Sequence, residues 1–125
     1  MISKKQRLGQ KGEQQAAEYF LKNKYEIISR NYRSGRSEID IICSLKDTLV
    51  FCEVKSYQSR PLDAVEYRVS KKKQRQIIQG AYGFIKEYPE YETHDTRFDV
   101  IIVNFSKYPV EITHHEAAFW LEEPF

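Results

Sequence analysis

Three ionisable residues near the middle of the chain have the types and the spacing of a metal-dependent hydrolytic site. Asp40 is followed after twelve intervening residues by Glu53, and Lys55 lies two positions beyond Glu53. The apolar segments on either side of 45–47 predict an antiparallel hairpin. A symmetric register, in which paired residue numbers sum to 93, places Asp40 opposite Glu53 and Glu38 opposite Lys55 on one face.

Carboxylates that face each other across a hairpin repel, and this repulsion destabilises the sheet unless something compensates for it. A divalent cation binds carboxylate oxygens and leaves positions for waters and a substrate phosphate. The ammonium group of Lys55, on the same face, could neutralise charge, orient a water or contact a phosphate. The pattern predicts a metal site. It leaves open an ordinary solvated face, because charged pairs across hairpins are common.

The other face of the hairpin is predicted to belong to the core. The register pairs only apolar or thiol residues there: Ile39 with Val54, Ile41 with Cys52, and Cys43 with Val50. We therefore expect both cysteines to be buried thiols rather than nucleophiles.

A glutamate in the first predicted helix could supply a third acidic group. Glu13 shares one helical face with Ala16, Ala17 and Phe20. Because this face is otherwise apolar, Glu13 is expected to point toward the domain, where an unpaired charge is costly. If the helix packs beside the hairpin, Glu13 joins the two hairpin carboxylates around the metal.

Hydrophobic periodicity predicts the elements that must position these groups. It indicates a helix over 5–23 and strands over 25–33, 37–44, 48–57, 97–105 and 110–113, with a loop over 60–63. A second helix is predicted from an N-cap at Ser70 to Tyr88, stopped by Pro89, and a short helical tail over 116–121. The order α-β-β-β-α-β, followed by a short strand, indicates one α/β layered domain over 1–125.

The composition excludes several classes of protein. No apolar run approaches the length of about 18 residues that a transmembrane helix needs. No apolar stretch follows the basic N-terminus, as it would in a secretory signal. Two cysteines are too few for a disulfide scaffold or a zinc knuckle. We therefore expect a cytoplasmic protein with free thiols and no membrane partner.

The charge distribution favours a polyanionic partner. Residues 1–36 carry nine Lys or Arg against three Glu, whereas residues 86–125 carry three Lys or Arg against nine acidic residues. A basic front suits a nucleic-acid phosphate backbone, although an ordinary mixed surface would have a similar balance. The candidate phosphate contacts are Arg33, Arg36, Lys71, Lys72 and Arg75, with Arg68 and Lys73 in the same basic cluster.

Other residues that could do chemistry are predicted to have structural roles. Arg97 and Asp99 share a strand face and are predicted to form a local ion pair. His114 and His115 are adjacent in a strand and should point to opposite faces, so one ion could not easily bind both. Trp120 near the C-terminus could cap the core or form a dimer contact.

Several segments of the chain resemble a known family. Asp40 followed by Glu53-Val54-Lys55 looks like the PD-(D/E)xK signature of restriction-endonuclease-like nucleases. The chain also resembles the YraN-like family of small bacterial proteins, regarded as distantly similar to archaeal Holliday-junction resolvases. The matching segments span about 8–103: Gly9 to Glu13 followed by Ala16, Asn31 to Arg33, Ser37 to Ile42, Leu49 to Lys55, Val69 to Arg75, and Arg97 to Ile101.

The resemblance implies a fold and a site. The fold is a restriction-endonuclease-like three-layer domain, with a mixed central sheet flanked by helices. The site consists of one or two Mg²⁺ or Mn²⁺ ions held by Asp40, Glu53 and the Val54 carbonyl, with Glu13 completing it and Lys55 as the catalytic lysine.

The implied activity is metal-assisted hydrolysis of phosphodiester bonds in nucleic acid, with DNA, including branched or junction DNA, as the expected substrate. Gln74 matches a helix glutamine that supports the site in some relatives and joins the candidate nucleic-acid contacts. Ser37 replaces the family's usual glycine. Resolvase-like enzymes often act as homodimers, so a homodimer is expected by analogy. Two rivals stay open: a non-catalytic nucleic-acid-binding module on a nuclease scaffold, and a protein-interaction domain that uses the aromatic tail.

Overall fold

Two helices enclose a five-stranded sheet in the computed structural model, which describes residues 1–58 and 69–119. The elements are α1 (Lys4–Lys22), β1 (Glu26–Ser34), β2 (Ser37–Leu45), β3 (Thr48–Tyr57), α2 (Lys71–Glu87), a short 3₁₀ helix (Pro89–Tyr91), β4 (Asp95–Asn104) and β5 (Glu111–Phe119). This arrangement confirms the predicted three-layer α/β fold and the order of its elements.

The helices begin where the sequence predicts. The Ser3 side chain accepts the Gln6 N–H in a capping box at the start of α1, and Ser70 accepts the Lys73 N–H at 3.1 Å at the start of α2. Neither described helix is long and apolar enough to cross a membrane. Each helix buries one apolar stripe against the sheet, so the domain has one core on each side of the sheet.

The described strands lie in the order β1-β2-β3-β4-β5, in which β3 and β4 are parallel and the other neighbouring pairs are antiparallel. A parallel pair needs a long crossover, and α2 lies in the segment that joins these two strands. The α1 side of the sheet holds Ile41, Cys43 and Cys52. Both cysteines are free and buried, and burial raises the pKa of Cys43 to about 12, which confirms that they are core thiols.

The predicted hairpin register holds over most of its length and fails at the site. β2 and β3 pair from Leu45–Thr48 to Ile41–Cys52, where residue numbers sum to 93, and the ladder ends there. The next predicted pair, Asp40 with Glu53, is wrong as a backbone pair. In its place Asp40 Oδ2 accepts the Val54 N–H at 2.7 Å.

This exchange of a backbone partner for a side chain changes which face of the sheet the neighbouring residues of β2 occupy. Ile39 packs with Ile42 in the core beneath α2, whereas Ile41 lies in the core beneath α1. The prediction that Ile39 shares a face with Ile41 is therefore wrong. A side chain that replaces a strand's backbone partner breaks the two-residue alternation from which the prediction was made.

The C-terminal segment also departs from the prediction. β5 continues to Phe119, so the helical tail predicted over 116–121 is wrong for 116–119. Pairing places Phe119 opposite Phe98, with ring centroids 5.2 Å apart, and buries both rings. The loop predicted over 60–63, Arg68, and Trp120 with the end of the predicted tail lie outside the described residues.

Candidate metal and nucleic-acid site

Asp40 and Glu53 form the chemical centre of the hairpin, because their carboxyl groups lie close enough to interact where β2 and β3 separate. Glu53 is buried and Asp40 is half-buried. Two carboxylates this close repel each other, which favours the protonated form of one of them. Burial, reinforced by Asp40, raises the pKa of Glu53 to about 8.

Two further groups contact this carboxyl pair. Lys73 Nζ, from the first turn of α2, lies 3.6 Å from Glu53 Oε2 and opposes the rise in the glutamate's pKa. The Val54 N–H points to Asp40. In an extended strand the N–H and C=O of one residue point to the same edge, so the Val54 carbonyl faces Asp40 as well. The structure thus brings together three of the groups expected at a metal site.

Glu13 lies close to this pair without joining it as a ligand cluster. It is half-buried on α1, and its pKa is raised by burial and by the charge of Asp40, while a hydrogen bond from Asn31 opposes the rise. No group of three or more His, Cys, Asp or Glu side chains over 1–58 and 69–119 is spaced to hold a metal ion. The structure therefore pairs two of the three predicted acids and leaves Glu13 beside them.

The sequence did not single out Asn31 and Lys73 as partners of the acidic residues at the site. Asn31 adopts a φ of 54° within β1, a conformation that asparagine tolerates better than most residues. That property was the available signal, since an asparagine inside a strand run is unusual. Lys73 was one of several neighbouring basic residues, and only the helical geometry selects it as the partner of Glu53.

Lys55 follows Glu53 by two positions on β3 and is half-buried. Strand alternation places its side chain on the face covered by α2. Its predicted opposite residue, Glu38, forms an ion pair with Arg33 at 3.2 Å. The predicted pairing of Glu38 with Lys55 lies beyond the end of the β2–β3 ladder.

The predicted phosphate contacts fall into two groups. Lys71, Lys72 and Arg75 are exposed on the first turns of α2, next to the acidic pair. Arg33 and Arg36 are exposed at the β1–β2 turn, which packs on the far half of α2, where a Cβ on Gly83 would lie 2.2 Å from Ser34 Oγ. At 1.5 Å per residue, the two groups are separated by roughly 15 Å along the helix.

Gln74 is held in place by the start of its own helix. Its Nε2 donates to the Val69 carbonyl at 2.9 Å, and the side chain is half-buried. This hydrogen bond fixes the amide beside the basic first turns of α2.

A second polar cluster lies on the α1 side of the sheet. Asp99 is fully buried and forms an ion pair with Arg97 at 2.8 Å, which confirms the predicted pair. His114 Nε2 lies 2.7 Å from Asp99 Oδ2, and its Nδ1 lies 2.9 Å from the Tyr19 hydroxyl. Burial alone would raise the pKa of Asp99, but the hydrogen bonds from His114, Arg97 and the Ala117 N–H outweigh it and lower the pKa. The network joins β4, β5 and α1.

Comparison with known proteins identifies the family. The model of the uncharacterised protein family UPF0102 matches residues 12–103. The chain belongs to the UPF0102 family. UPF0102 is the YraN family, so this match confirms the resemblance to YraN-like proteins.

The UPF0102 relatives match the chain along most of its length. A UPF0102 protein of Desulfosudis oleivorans is 37% identical over 112 residues, which cover 90% of each chain. One of Treponema pallidum is 38% identical over 115 residues, covering 90% of this chain and 91% of the relative. One of Chlorobium phaeobacteroides is 42% identical over 100 residues, covering 77% and 75%.

Proposed function

We propose that this UPF0102 protein is a metal-dependent endonuclease that hydrolyses DNA phosphodiester bonds, with branched DNA among its substrates. The observation that carries the proposal is the close carboxyl pair of Asp40 and Glu53, contacted by Lys73 and by the Val54 N–H. Such a pair is costly in a sheet, and strongly raised carboxyl pKa values cluster at functional sites.

The donor set fits Mg²⁺ or Mn²⁺. Asp40 and Glu53 would hold the ion together with the Val54 carbonyl, all of them the hard oxygen ligands that these cations prefer. When bound, the ion lowers the pKa of a coordinated water and stabilises charge that develops on the phosphate. Deprotonation of Glu53 would leave both carboxylates able to bind it.

The remaining residues act on the substrate and on charge. Lys73 neutralises Glu53 from above, at 3.6 Å, which keeps that carboxyl ionisable despite burial. Lys55, on the same side of β3, orients the attacking water or offsets the charge of the transition state. Lys71, Lys72 and Arg75 hold the phosphate backbone of the substrate beside the pair.

A second candidate function is nucleic-acid binding without hydrolysis. It is favoured by one observation: over the described ranges, Glu13 does not complete a cluster of three ligands with the hairpin carboxylates. This candidate predicts salt-sensitive DNA binding with no cation bound at the acidic pair.

The two candidates are separated by cleavage and calorimetry on the same proteins. Wild type is incubated with Mg²⁺ or Mn²⁺ and supercoiled plasmid, linear duplex, flap or four-way-junction DNA, and Mn²⁺ binding is measured by calorimetry. The matched variants are Asp40→Asn and Asp47→Asn, because Asp47 makes the same charge change in the exposed turn at the other end of the hairpin.

Endonuclease function predicts cation-dependent cleavage and Mn²⁺ binding by wild type and by Asp47→Asn, with both lost in Asp40→Asn. DNA binding without Mn²⁺ binding or cleavage in any of the three proteins overturns the nuclease proposal in favour of the binding module.

A further inference from the structure

A cavity of about 840 Å³ opens between the first turns of α2 and the edge strand β5. Its polar lining includes Lys71 and Gln74 on α2 and His114, His115 and Glu116 on β5, and its apolar lining includes Val100. A volume of this size suits a ligand of several hundred daltons, such as a nucleotide unit.

The cavity lies beside the acidic pair, because its lining residues follow one row across the sheet. His115 pairs with Val100 on β4, and Val100 pairs with Glu53 on β3. With neighbouring strands about 4.8 Å apart, the Cα atoms of His115 and Glu53 are roughly 10 Å apart. Lys73, which reaches Glu53 from the same helix turn that supplies Lys71 and Gln74, fixes α2 above this row.

His115 differs from its neighbour His114 in what it contacts. His114 is held by Asp99 and Tyr19 on the α1 side of the sheet. His115 is exposed and pairs with Val100, whose side chain lies in the core beneath α2, so its side chain is on the other face of the sheet. This confirms the prediction that the two imidazoles point to opposite faces of the strand. His115 is therefore available to a ligand.

The polar groups of the cavity suit a phosphate. An imidazole, an ammonium and an amide can each donate to phosphate oxygens. Among the described residues of the lining, the one carboxylate is Glu116, which is engaged from the α1 side, with its Oε1 3.4 Å from Arg97 Nη2 and 3.4 Å from the Tyr25 hydroxyl. This pairing reduces its repulsion of an anion.

We infer that His115 binds a phosphate of the substrate strand flanking the scissile bond, with that stretch of strand lying in the cavity between His115 and Glu53. The inference rests on the proposed function, which places the scissile phosphate at Asp40 and Glu53. Phosphates follow one another every 3.4 Å or so along a duplex axis, so a few nucleotides span this row. His115 acts in binding and does not touch the reacting atoms.

The test separates binding from cleavage. Affinity for a fluorescent single-stranded oligonucleotide and for a four-way junction is measured by anisotropy in EDTA, for wild type, His115→Ala, His115→Gln and Thr113→Ala. Thr113 is the matched control, because it pairs with Ile102 one row further along the same face of β5 and does not line the cavity. Thermal melts verify that each variant is folded, which is expected since His115 is exposed.

Loss of one phosphate contact predicts a Kd raised by roughly 5- to 10-fold for His115→Ala, partial recovery for His115→Gln, and no change for Thr113→Ala. In cleavage assays KM should rise while kcat stays within about twofold. Unchanged affinity in His115→Ala overturns the inference, even if wild type cleaves DNA. Reduced affinity of His115→Ala in a protein that never cleaves supports the phosphate contact at His115 and overturns both the nuclease proposal and the placing of that contact beside a scissile bond.

Discussion

Replacing Glu53 with glutamine tests the raised pKa of this buried carboxyl directly. The amide keeps the shape of the side chain and can donate to Asp40 at every pH, whereas the carboxyl must lose its proton as pH rises. Burial beside Asp40 raises the Glu53 pKa from 4.5 to about 8. Because the folded protein holds this proton more tightly, the associated stability is fully present below pH 4.5 and is lost as pH rises through about 8.

The size of the effect follows from this pKa change. Each pH unit between the two values costs wild type up to about 1.4 kcal/mol, so roughly 2–4 kcal/mol is lost between pH 5 and pH 8 once relaxation is included. Glu53→Gln removes this loss. Its stability relative to wild type should therefore increase by that amount over the same interval.

Urea unfolding at pH 5 and pH 8, in EDTA, measures the difference for wild type and Glu53→Gln. Glu18→Gln makes the same charge change on the exposed surface of α1 and should stay within about 0.5 kcal/mol of wild type at both pH values. Adding Mn²⁺ at pH 8 should stabilise wild type and leave Glu53→Gln unchanged. Parallel pH dependence of wild type and Glu53→Gln would refute the raised pKa of Glu53.

Three further changes test other parts of the structure. Asp99→Asn should destabilise the fold by about 3–5 kcal/mol in urea unfolding at neutral pH, because a buried ion pair loses one partner. Since the pKa of Asp99 is lowered from 3.8, the difference in stability from wild type should vanish as acid protonates the wild-type carboxyl. Gly12→Ala should lower the free energy of unfolding by about 1–3 kcal/mol, because the new Cβ would clash with the Ser56 hydroxyl. Gly9→Ala, where a Cβ would have nothing within 4 Å, should be neutral or stabilising by up to about 1 kcal/mol. Equal effects of the two changes would contradict this packing. Lys72→Ala should weaken DNA binding and reduce the slope of log affinity against log salt by about 1, and an unchanged slope would remove this exposed residue from the phosphate contacts.

The sequence predicted the elements well because their signals are local. The stripe of Gly12, Ala16 and Phe20 and the cap at Ser70 each depend on residues within a few positions of one another. The hairpin register was also predictable, since an apolar face fixes it as far as Ile41 and Cys52.

The details of the site depend on contacts between distant residues, which a single sequence does not reveal. Asp40 replaces a backbone partner of Val54, and no periodic pattern encodes such an exchange. The partner of Glu53 was obscure because several basic residues crowd the start of α2, and only the way the helix docks selects Lys73. The length of the last strand was underestimated, because Phe119 is held in it by pairing with Phe98, a residue that is distant in the sequence.

The parallel pairing of β3 with β4 has a consequence for the order in which the protein is assembled. β1, β2 and β3 follow each other closely in the chain, so they and α1 can associate by short loop closures as they leave the ribosome. β4 can join only after the whole crossover segment has been synthesised. The hairpin that carries Asp40 and Glu53 is therefore made before α2, which supplies Lys73, and the burial that raises the Glu53 pKa is completed only when that helix docks.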